Sequence, residues 1–341
     1  MPDQPEAAER ERVTVSTSTI DRAEFERQLE EQRTVLTGYC YRMLGSPYEA
    51  EDAVQETMLR AWKAFDRFDG RSALSTWLYR IATNVCLDAL QGRKRRAIPM
   101  DLSSSSTADT PLRAAVSWDT WIQPIPDAAA LPQTSDPAEL VEERETIRLA
   151  FVAALQTLPP KQRAVLILRE VLRWQASEVA ELLDTSVASV NSALQRARAT
   201  LDDTVIGDGG TLDATDDDAQ KELLERYLDA FERYDIDAFV SLLHEDATHN
   251  MPPHEMWLRG QEQIHDWMLG PGITCRGSRL LPVRGNGAPG FAIYRPTGPN
   301  GEHEPFNVHL VDVVDGRVAG ITYFLDVGLF PIFGLPMELD D

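Results

Sequence analysis

The chain has 341 residues, 43% of them hydrophobic, and a formal net charge of −22 at pH 7. This length exceeds that of one ordinary domain, so two or three domains are expected. Its cysteines, Cys40, Cys86 and Cys275, are widely separated without a C-x-x-C spacing, which argues against a disulfide framework and a zinc site. The charged N-terminus and the lack of about 18 consecutive apolar residues argue against a signal peptide and a membrane span, so a cytoplasmic protein is expected.

The acidity is distributed unevenly along the chain. Most of it lies beyond Asp202, whereas the stretch from Arg60 to Arg96 is locally basic and ends in the run Arg93-Lys94-Arg95-Arg96. A cationic stripe in a nearly neutral half is typical of a surface that attracts phosphate groups. This pattern makes nucleic acid a candidate partner of the N-terminal half.

The first predicted block, residues 21–98, has helical patterning throughout. Its first amphipathic stretch runs from Phe25 to Met43. A second helix is predicted from Pro47 to Phe65, with the proline in the first turn, where its missing N–H costs nothing. A third begins at Ser75 and places Trp77 beside other apolar residues.

A connecting segment, residues 99–138, follows the first block. Its serines, scattered prolines and weak periodicity predict an extended conformation. Trp118 and Trp121 are unexpected in such a segment, because large aromatic side chains are costly to leave in water. We therefore expect the segment to dock on a neighbouring domain.

The second predicted block, residues 139–203, ends in a helix-turn-helix pattern. Val179 and Leu182 lie on one face of a short helix, and apolar residues recur at spacings of three and four from Val187 to Leu201. Ser186 can cap the second helix. The polar outer face of that helix suits a DNA major groove. An ordinary helical hairpin with a solvated face is the alternative interpretation.

A second linker, residues 204–217, is rich in Asp, Gly and Thr and is expected to be flexible. It leads to a C-terminal domain, residues 218–341, of the α+β class. Helices are predicted for Lys221 to Phe231 and Ile236 to Leu243, followed by strands. Asp315-Gly316, between two β-rich runs, predicts a hairpin. The apolar tail from Leu329 to Leu335 requires a surface to cover it.

Three motifs in this order and spacing resemble a known family. They are DAVQETMLRAW from Asp52, STWLYRIATNVCLDALQGRKRR from Ser75, and the helix-turn-helix. Together they resemble the extracytoplasmic-function (ECF) group of bacterial RNA polymerase sigma factors over residues 21–201. The C-terminal domain resembles the polyketide-cyclase-like (SnoaL-like) branch of the NTF2-like fold, an extension typical of the mycobacterial sigma J and sigma G type. The resemblance implies a multidomain fold: all-α sigma-2 and sigma-4 domains plus an α+β NTF2-like cone-shaped domain.

The resemblance implies that the first block binds core RNA polymerase at the clamp of its largest subunit. The second block is expected at the flap of the second-largest subunit. The residues implied in clamp contact are Asp52, Gln55, Glu56 and Arg60. A solvated helix face stabilised by local ion pairs is the alternative for these four side chains.

The resemblance also implies promoter DNA as a partner of both helical blocks. For the minus-ten element, we select the basic and polar residues Arg80, Asn84, Arg93, Lys94, Arg95 and Arg96. Trp77 fits a core position better than a base-stacking position. For the minus-thirty-five element, the candidates are Ser186, Ser189, Asn191, Ser192, Gln195, Arg196 and Arg198. Related factors often have a glycine, a lysine and an arginine where this chain has Asp184, Asn191 and Ala193, so weaker or altered recognition is expected.

An NTF2-like cone usually encloses a pocket. The candidate lining residues are His249, Trp267, Tyr294, His309, Tyr323 and Asp326. A core of aromatic side chains with satisfied polar atoms is one interpretation, a pocket for a small-molecule ligand is a second, and a general base in a cyclase is a third. No metal spacing is present, and no cofactor is expected.

The sequence therefore predicts a sigma factor that performs no chemistry, with no membrane partner. Its acidic C-terminal domain is expected to modulate the basic half in cis. One alternative is a one-component helix-turn-helix regulator with a ligand-sensing C-terminal domain. A second alternative is a cyclase or isomerase with an accessory DNA-binding half. The one-component regulator would not need the first block.

Overall fold

The computed structural model describes residues 21–68, 73–132, 136–203, 217–299 and 301–339. The first block contains the helices α1 (Arg22–Glu31), α2 (Arg33–Leu44), α3 (Pro47–Lys63) and α4 (Leu74–Ala89). The side chain of Asp21 caps α1 by accepting a hydrogen bond from the Glu24 N–H at 2.8 Å. Pro47 opens α3 as predicted, and α3 ends two residues before Phe65.

Helix α2 lies at the centre of the helical part of the molecule. Every residue from Leu36 to Leu44 is buried. A helix without a solvated face must be surrounded by other elements. At Gly38, a Cβ atom would lie 2.3 Å from the carbonyl oxygen of Ala130. Glycine therefore permits the close approach of a neighbouring helix at this point.

The second block is built of five helices and one π-helical turn within residues 136–203. These are α7 (Pro137–Glu145), α8 (Leu149–Gln156), α9 (Pro160–Leu166), the turn Ile167–Val171, α10 (Ala176–Leu182) and α11 (Val187–Asp203). Its apolar residues join those of the first block in one hydrophobic core. The two blocks share this core because α2, buried at every residue from Leu36 to Leu44, packs against α8 and α9.

Two buried arginines connect the helical blocks. Arg42 on α2 donates to the carbonyl oxygen of Thr146 at 3.1 Å and to the Glu143 carboxylate at 3.3 Å. Arg163 on α9 donates to the carbonyl oxygens of Met43, Gln156 and Leu158. Burial lowers the pKa of Arg163 to about 10, so the side chain remains charged at neutral pH. The hydrogen bonds from Arg42 to Thr146 and from Arg163 to Met43 join the two blocks in this arrangement.

The connecting segment lies against both halves of the molecule. It contains the short helices α5 (Pro99–Leu102) and α6 (Asp127–Ala130) and a single helical turn, Trp118–Thr120. Trp121, Ile122 and Ile125 are fully or almost fully buried. Trp118 packs half-buried against the C-terminal domain. The expected docking of this segment is confirmed.

The C-terminal domain combines helices with a six-stranded sheet within residues 217–299 and 301–339. Its helices are α12 (Asp217–Glu232), α13 (Ile236–Ser241), α14 (Gln261–Leu269) and α15 (Leu329–Ile332). Its strands are β1 (Leu243–Asn250), β2 (Trp257–Arg259), β3 (Arg279–Gly285), β4 (Ala288–Pro296), β5 (His303–Val314) and β6 (Arg317–Phe324), in the order β2-β1-β6-β5-β4-β3. Only β1 and β6 pair in parallel among these strands. The second predicted linker lies outside the described residues, except for Asp217.

Two tight hairpin turns shape the sheet. Asp315 and Gly316 join β5 to β6 with φ values of 49° and 70°, as the sequence predicts. Asn286 and Gly287 join β3 to β4 with φ values of 51° and 71°. Positive φ at both central residues is the geometry that Asp-Gly and Asn-Gly pairs favour. The second hairpin carries an equally clear signal that the sequence analysis missed.

The sheet has two covered faces. One face packs on α12, α13 and α14 and includes Phe291 and Ile293. The other face includes Ala292 and Tyr294 and is covered by the C-terminal tail, where Leu329 and Phe330 are fully buried. The apolar tail therefore finds its surface within the chain. Among the described residues, no helix is both long and apolar enough to span a bilayer.

Candidate functional site

Helix α3 presents a mixed polar and apolar surface. Asp52, Gln55 and Arg60 are exposed and Glu56 is half-buried, while the apolar stripe of the helix faces the core. Arg60 donates to the Glu56 carboxylate at 2.6 Å. Such an exposed pair adds little stability and can exchange for a partner's groups.

Two apolar side chains on the same helix were missed by the sequence analysis. Leu59 is 45% exposed and Trp62 is 41% exposed. The guanidinium of Arg22 lies 4.3 Å from the centre of the Trp62 ring. Exposed aromatic side chains and arginines are enriched at protein-binding surfaces. The sequence could have indicated these two residues, because both lie outside the apolar stripe of α3 that faces the core.

Helix α4 carries the first of the predicted minus-ten residues. Arg80 donates to the carbonyl oxygen of Glu181 on α10 at 3.2 Å and to its carboxylate at 3.4 Å. Asn84 is exposed. Trp77 packs against Phe68 with ring centres 5.1 Å apart, which is the core position expected for it. The first block therefore contacts the second block through one of its candidate DNA-binding residues.

The basic run after α4 divides into exposed and buried members. Arg93, Lys94 and Arg95 are exposed, and Arg93 pairs with Glu49. Arg96 is only 7% exposed and donates to the carbonyl oxygens of Trp118 and Trp121 at 2.8 and 2.6 Å. The prediction of a DNA contact for Arg96 is corrected in this conformation, because burial keeps its guanidinium away from phosphates.

Helices α10 and α11 form the predicted helix-turn-helix. Asp184 in the turn has a φ of 49°, a conformation that favours glycine but that aspartate tolerates. The Ser186 hydroxyl accepts a hydrogen bond from the Ser189 N–H at 3.1 Å and caps α11 as predicted. The seven candidate residues of this helix are all exposed: Ser186, Ser189, Asn191, Ser192, Gln195, Arg196 and Arg198. The polar face of α11 is therefore open to solvent.

Local contacts orient the two arginines of α11. Arg196 donates to the Ser192 hydroxyl at 2.7 Å, and Arg198 pairs with Glu170 at the same distance. Both side chains remain exposed. Exposed ion pairs of this kind are weak, so a phosphate can replace the carboxylate.

The C-terminal domain encloses a cavity of about 440 Å³. Three predicted residues line it: His249, Trp267 and Tyr323. His249 is buried, and both of its ring nitrogens lack a partner among the described residues. Burial lowers the pKa of His249 to about 3, so its imidazole is uncharged at neutral pH. Within the same residues, no group of three or more His, Cys, Asp or Glu side chains could hold a metal ion.

The other three predicted pocket residues lie elsewhere. Tyr294 points to the opposite face of the sheet and donates to the carbonyl oxygen of Pro336 at 2.8 Å, because alternate residues of β4 face opposite sides. His309 is fully buried behind the cavity, 3.0 Å from the Tyr227 hydroxyl. Asp326 faces the helical part, where it accepts from the Tyr48 hydroxyl at 3.2 Å. These three predictions are corrected.

The β3–β4 hairpin joins three parts of the chain at Asn286. Its side-chain N–H groups donate to the Tyr41 hydroxyl at 2.7 Å and to the carbonyl oxygen of Ile147 at 2.6 Å. Its side-chain oxygen accepts from the Ile125 N–H at 2.9 Å. Asn286 is 1% exposed, so these bonds form away from water. One side chain of the C-terminal domain thus contacts the first block, the connecting segment and the second block.

Three family models match successive parts of the chain. Sigma-70 region 2 matches residues 29–96, Sigma-70 region 4 matches residues 148–201, and a SnoaL-like domain matches residues 224–321. The matches follow one another along the chain in the order of the first block, the second block and the C-terminal domain.

Known proteins share this whole arrangement. The ECF RNA polymerase sigma factor SigG of Mycobacterium tuberculosis is 45% identical over 325 residues, which cover 93% of this chain and 85% of the relative. SigJ of the same organism is 28% identical over 314 residues, covering 86% of this chain and 89% of the relative. The crystal structure of SigJ matches with a TM-score of 0.57 at 23% identity, covering 93% of this chain and 100% of that chain, which shows the same fold.

The one-component regulator is not favoured, because these relatives are sigma factors of RNA polymerase. The chain has the sigma-70 regions that bind core polymerase and promoter DNA. It therefore belongs to the ECF group of RNA polymerase sigma factors, which direct promoter-specific transcription initiation, and it carries a C-terminal SnoaL-like domain.

Proposed function

We propose that the C-terminal domain regulates this sigma factor in cis by holding its first and second blocks in a closed arrangement. The minus-ten and minus-thirty-five elements are centred about 25 base pairs apart, which is roughly 80 Å of B-DNA. The two blocks share one core, and Arg80 of α4 contacts Glu181 of α10. Blocks in direct contact cannot occupy both elements, so promoter binding requires them to separate.

The observation that carries this proposal is the set of hydrogen bonds at Asn286. Its side chain bonds to the Tyr41 hydroxyl, the Ile125 backbone N–H and the Ile147 carbonyl oxygen, which belong to three different parts of the chain. Opening the blocks exchanges these three hydrogen bonds for bonds to water. Each such exchange costs about 0.5 to 1.5 kcal/mol. The hairpin therefore stabilises the closed arrangement specifically.

Ion pairs lie at the same joint, where the C-terminal domain contacts the second block and the connecting segment. Arg148 of the second block pairs with Asp312 of β5 at 3.0 Å. Arg284 of β3 lies 3.7 Å from Asp127 of the connecting segment. In the exposed basic run, Arg93 pairs instead with Glu49 of its own block. Regulation thus acts by holding the blocks together, and the acidic domain does not cover the basic run.

Core polymerase contacts the closed form through α3 in this proposal. Asp52, Gln55 and Arg60, with the half-buried Glu56, stay accessible for the clamp of the largest subunit. The second block then engages the flap of the second-largest subunit as it moves away from the first. Binding energy at two separated polymerase sites would favour the open arrangement, since a partner shifts an equilibrium by its differential affinity.

We assign the C-terminal domain a regulatory role and no reaction. Asp326 and His309, the candidate general bases, lie outside the cavity. His249 lines the cavity, but its pKa of about 3 makes it a weak base at neutral pH. We place the protein in the cytoplasm, where it meets polymerase and the promoter.

The test compares two substitutions in matched hairpin turns. Asn286→Asp keeps a residue that tolerates positive φ and keeps the acceptor for Ile125, but removes both donors. Asp315→Asn changes the exposed β5–β6 turn at a similar φ. With purified bacterial core polymerase and genomic template, we expect more specific transcript from Asn286→Asp than from wild type, and no change from Asp315→Asn. Equal transcription by all three proteins would reject regulation through this joint.

A further inference from the structure

Part of the connecting segment forms one wall of the C-terminal cavity. The wall runs from Ala108 to Leu112. Hydrogen bonds hold the chain on both sides of it: the Ser106 N–H donates to the carbonyl oxygen of Trp257, and the Val116 N–H donates to that of Pro253, both at 2.8 Å. Ala108 itself donates its N–H to the Gln263 side chain at 3.0 Å. A segment that joins the two sigma blocks therefore closes a cavity of the third domain.

The interior of the cavity is suited to an uncharged ligand. Phe231, Trp267 and Phe306 contribute apolar surface, and its volume of about 440 Å³ lies within the usual range of ligand pockets. Among the lining residues, Asp109 on the connecting segment is the only Asp, Glu, Lys or Arg. An anion would meet both this carboxylate and an apolar interior, where an unpaired charge is costly.

Two buried polar side chains face this space without partners. His249 is 2% exposed, and both of its ring nitrogens are unpaired within the described part of the chain. Asn307 is 1% exposed, and its side-chain oxygen also has no hydrogen-bond partner among the described residues. Native structures leave few buried polar atoms unsatisfied, so these atoms mark positions for the polar groups of a ligand.

We propose that the cavity binds an uncharged, mainly apolar small molecule with at least one hydrogen-bonding group, and that the bound molecule holds Ala108 to Leu112 in the docked position. Because the connecting segment forms one wall of the cavity, a bound ligand contacts both this segment and the C-terminal domain. A ligand that binds only the docked state shifts the equilibrium toward it.

The docked segment transmits this binding to the sigma blocks. Beyond Val116 it continues to Trp118 and Trp121, whose carbonyl oxygens accept hydrogen bonds from Arg96 of the first block. It then reaches Ile125, which bonds to Asn286. The ligand therefore favours the closed arrangement and lowers transcription. This regulatory consequence rests on the proposed function, whereas the binding and docking steps do not.

The test uses two fluorescent probes that differ in charge. N-phenylnaphthylamine is an uncharged aromatic amine, and anilinonaphthalene sulfonate is its sulfonated analogue. We expect saturable binding of the uncharged probe by the full chain and little binding of the anion. Hydrogen exchange in the presence of the uncharged probe should slow at the amides of Ser106, Ala108 and Val116.

A matched pair of substitutions places a charge at two positions of the same segment. Ala108→Asp introduces a carboxylate at the half-buried cavity wall, and Ala115→Asp introduces one at an exposed position outside the lining. We expect the first to weaken binding of the uncharged probe by about tenfold or more and the second to change it by less than about twofold.

Three results would overturn the proposal: no saturable binding of the uncharged probe, equal binding of the anion, or equal affinity of the two variants. Unchanged exchange at the three amides would overturn the docking step. If the probe fails while Asn286→Asp still raises transcription, the ligand proposal is wrong and the proposed function stands. If the probe protects the segment but Asn286→Asp has no effect on transcription, the proposed function is wrong and the cavity proposal stands.

Discussion

Arg96 shows how one residue of a basic run becomes a structural element. Its guanidinium donates to the Trp118 and Trp121 carbonyl oxygens and to the Glu49 carboxylate. Each bond is charge-assisted and lies in a largely buried site. The neighbouring Arg95 is exposed. Of these two adjacent arginines, Arg96 holds the connecting segment, whereas Arg95 stays accessible for the phosphate contact that we propose.

Substitution of these two arginines separates stability from DNA binding. Arg96→Ala leaves buried acceptors unpaired and should lower the free energy of unfolding by about 3 kcal/mol. Arg95→Ala should change it by less than about 0.5 kcal/mol but reduce the salt slope of promoter binding by about one. Urea unfolding and binding across a salt series measure both quantities. Equal destabilisation by the two variants would contradict the structural role of Arg96.

His249 predicts a specific acid sensitivity. Its folded pKa is about 3, whereas an unfolded histidine titrates near 6.5. As the pH falls through this window, the unfolded state binds a proton that the folded state does not. The titration of His249 should therefore lower the free energy of unfolding by up to about 1.4 kcal/mol for each pH unit of acidification. His249→Phe should remove that contribution. Urea unfolding from pH 7 to pH 4 measures the slope.

His265 provides the control for this titration. A hydrogen bond to Asp266 raises its pKa, so its contribution has the opposite sign and is lost as the pH rises through the folded pKa. His265→Gln should therefore retain the acid sensitivity, or make it slightly steeper, because it removes a contribution of the opposite sign. An unaltered slope in His249→Phe would show that this imidazole is not held neutral by burial.

At the scale of elements, α11 is an exposed recognition helix on a stable support. Val190, Leu194 and Ala197 are buried against the second block. The polar side chains between them project outward on the other side. This division needs only helical periodicity, which explains why the sequence predicted both the helix and its candidate DNA contacts.

The arginines of α11 should contribute to binding at every promoter sequence. Arg196→Ala and Arg198→Ala should each lower the salt slope of binding by about one, because each removes one phosphate contact. Arg173, exposed and paired with Glu142 away from α11, is the matched control. A slope that falls equally in Arg173→Ala would indicate a general charge effect and not a contact by α11.

Other elements show where sequence reasoning stops. The pattern on β4 did not reveal which face Tyr294 would take, because both faces of this strand are covered and both carry apolar residues. Asp326 was predicted to line the pocket, but its partner Tyr48 lies 278 positions away in the sequence. Local patterns predict elements, whereas contacts between distant segments depend on the assembled fold.

At the scale of the whole molecule, the hydrophobic cores do not correspond one to one with successive segments of the sequence. The helical blocks and the middle of the connecting segment share one core. The C-terminal domain has its own core and a second cluster that also takes in Trp118 and Leu149. The closed arrangement is therefore built by apolar contacts and made specific by the Asn286 hairpin. Opening it is the regulated step in this account.

The most direct test of this claim is the distance between the two helical blocks. Spin labels at exposed Gln91 and Ser177, with Cys275 replaced by serine, report it by pulsed electron paramagnetic resonance. We predict one short distance in the free chain and in Asp315→Asn, and added longer distances in Asn286→Asp and in the complex with polymerase and promoter. Long distances in the free wild-type chain, or an unchanged short distance in the promoter complex, would contradict the account.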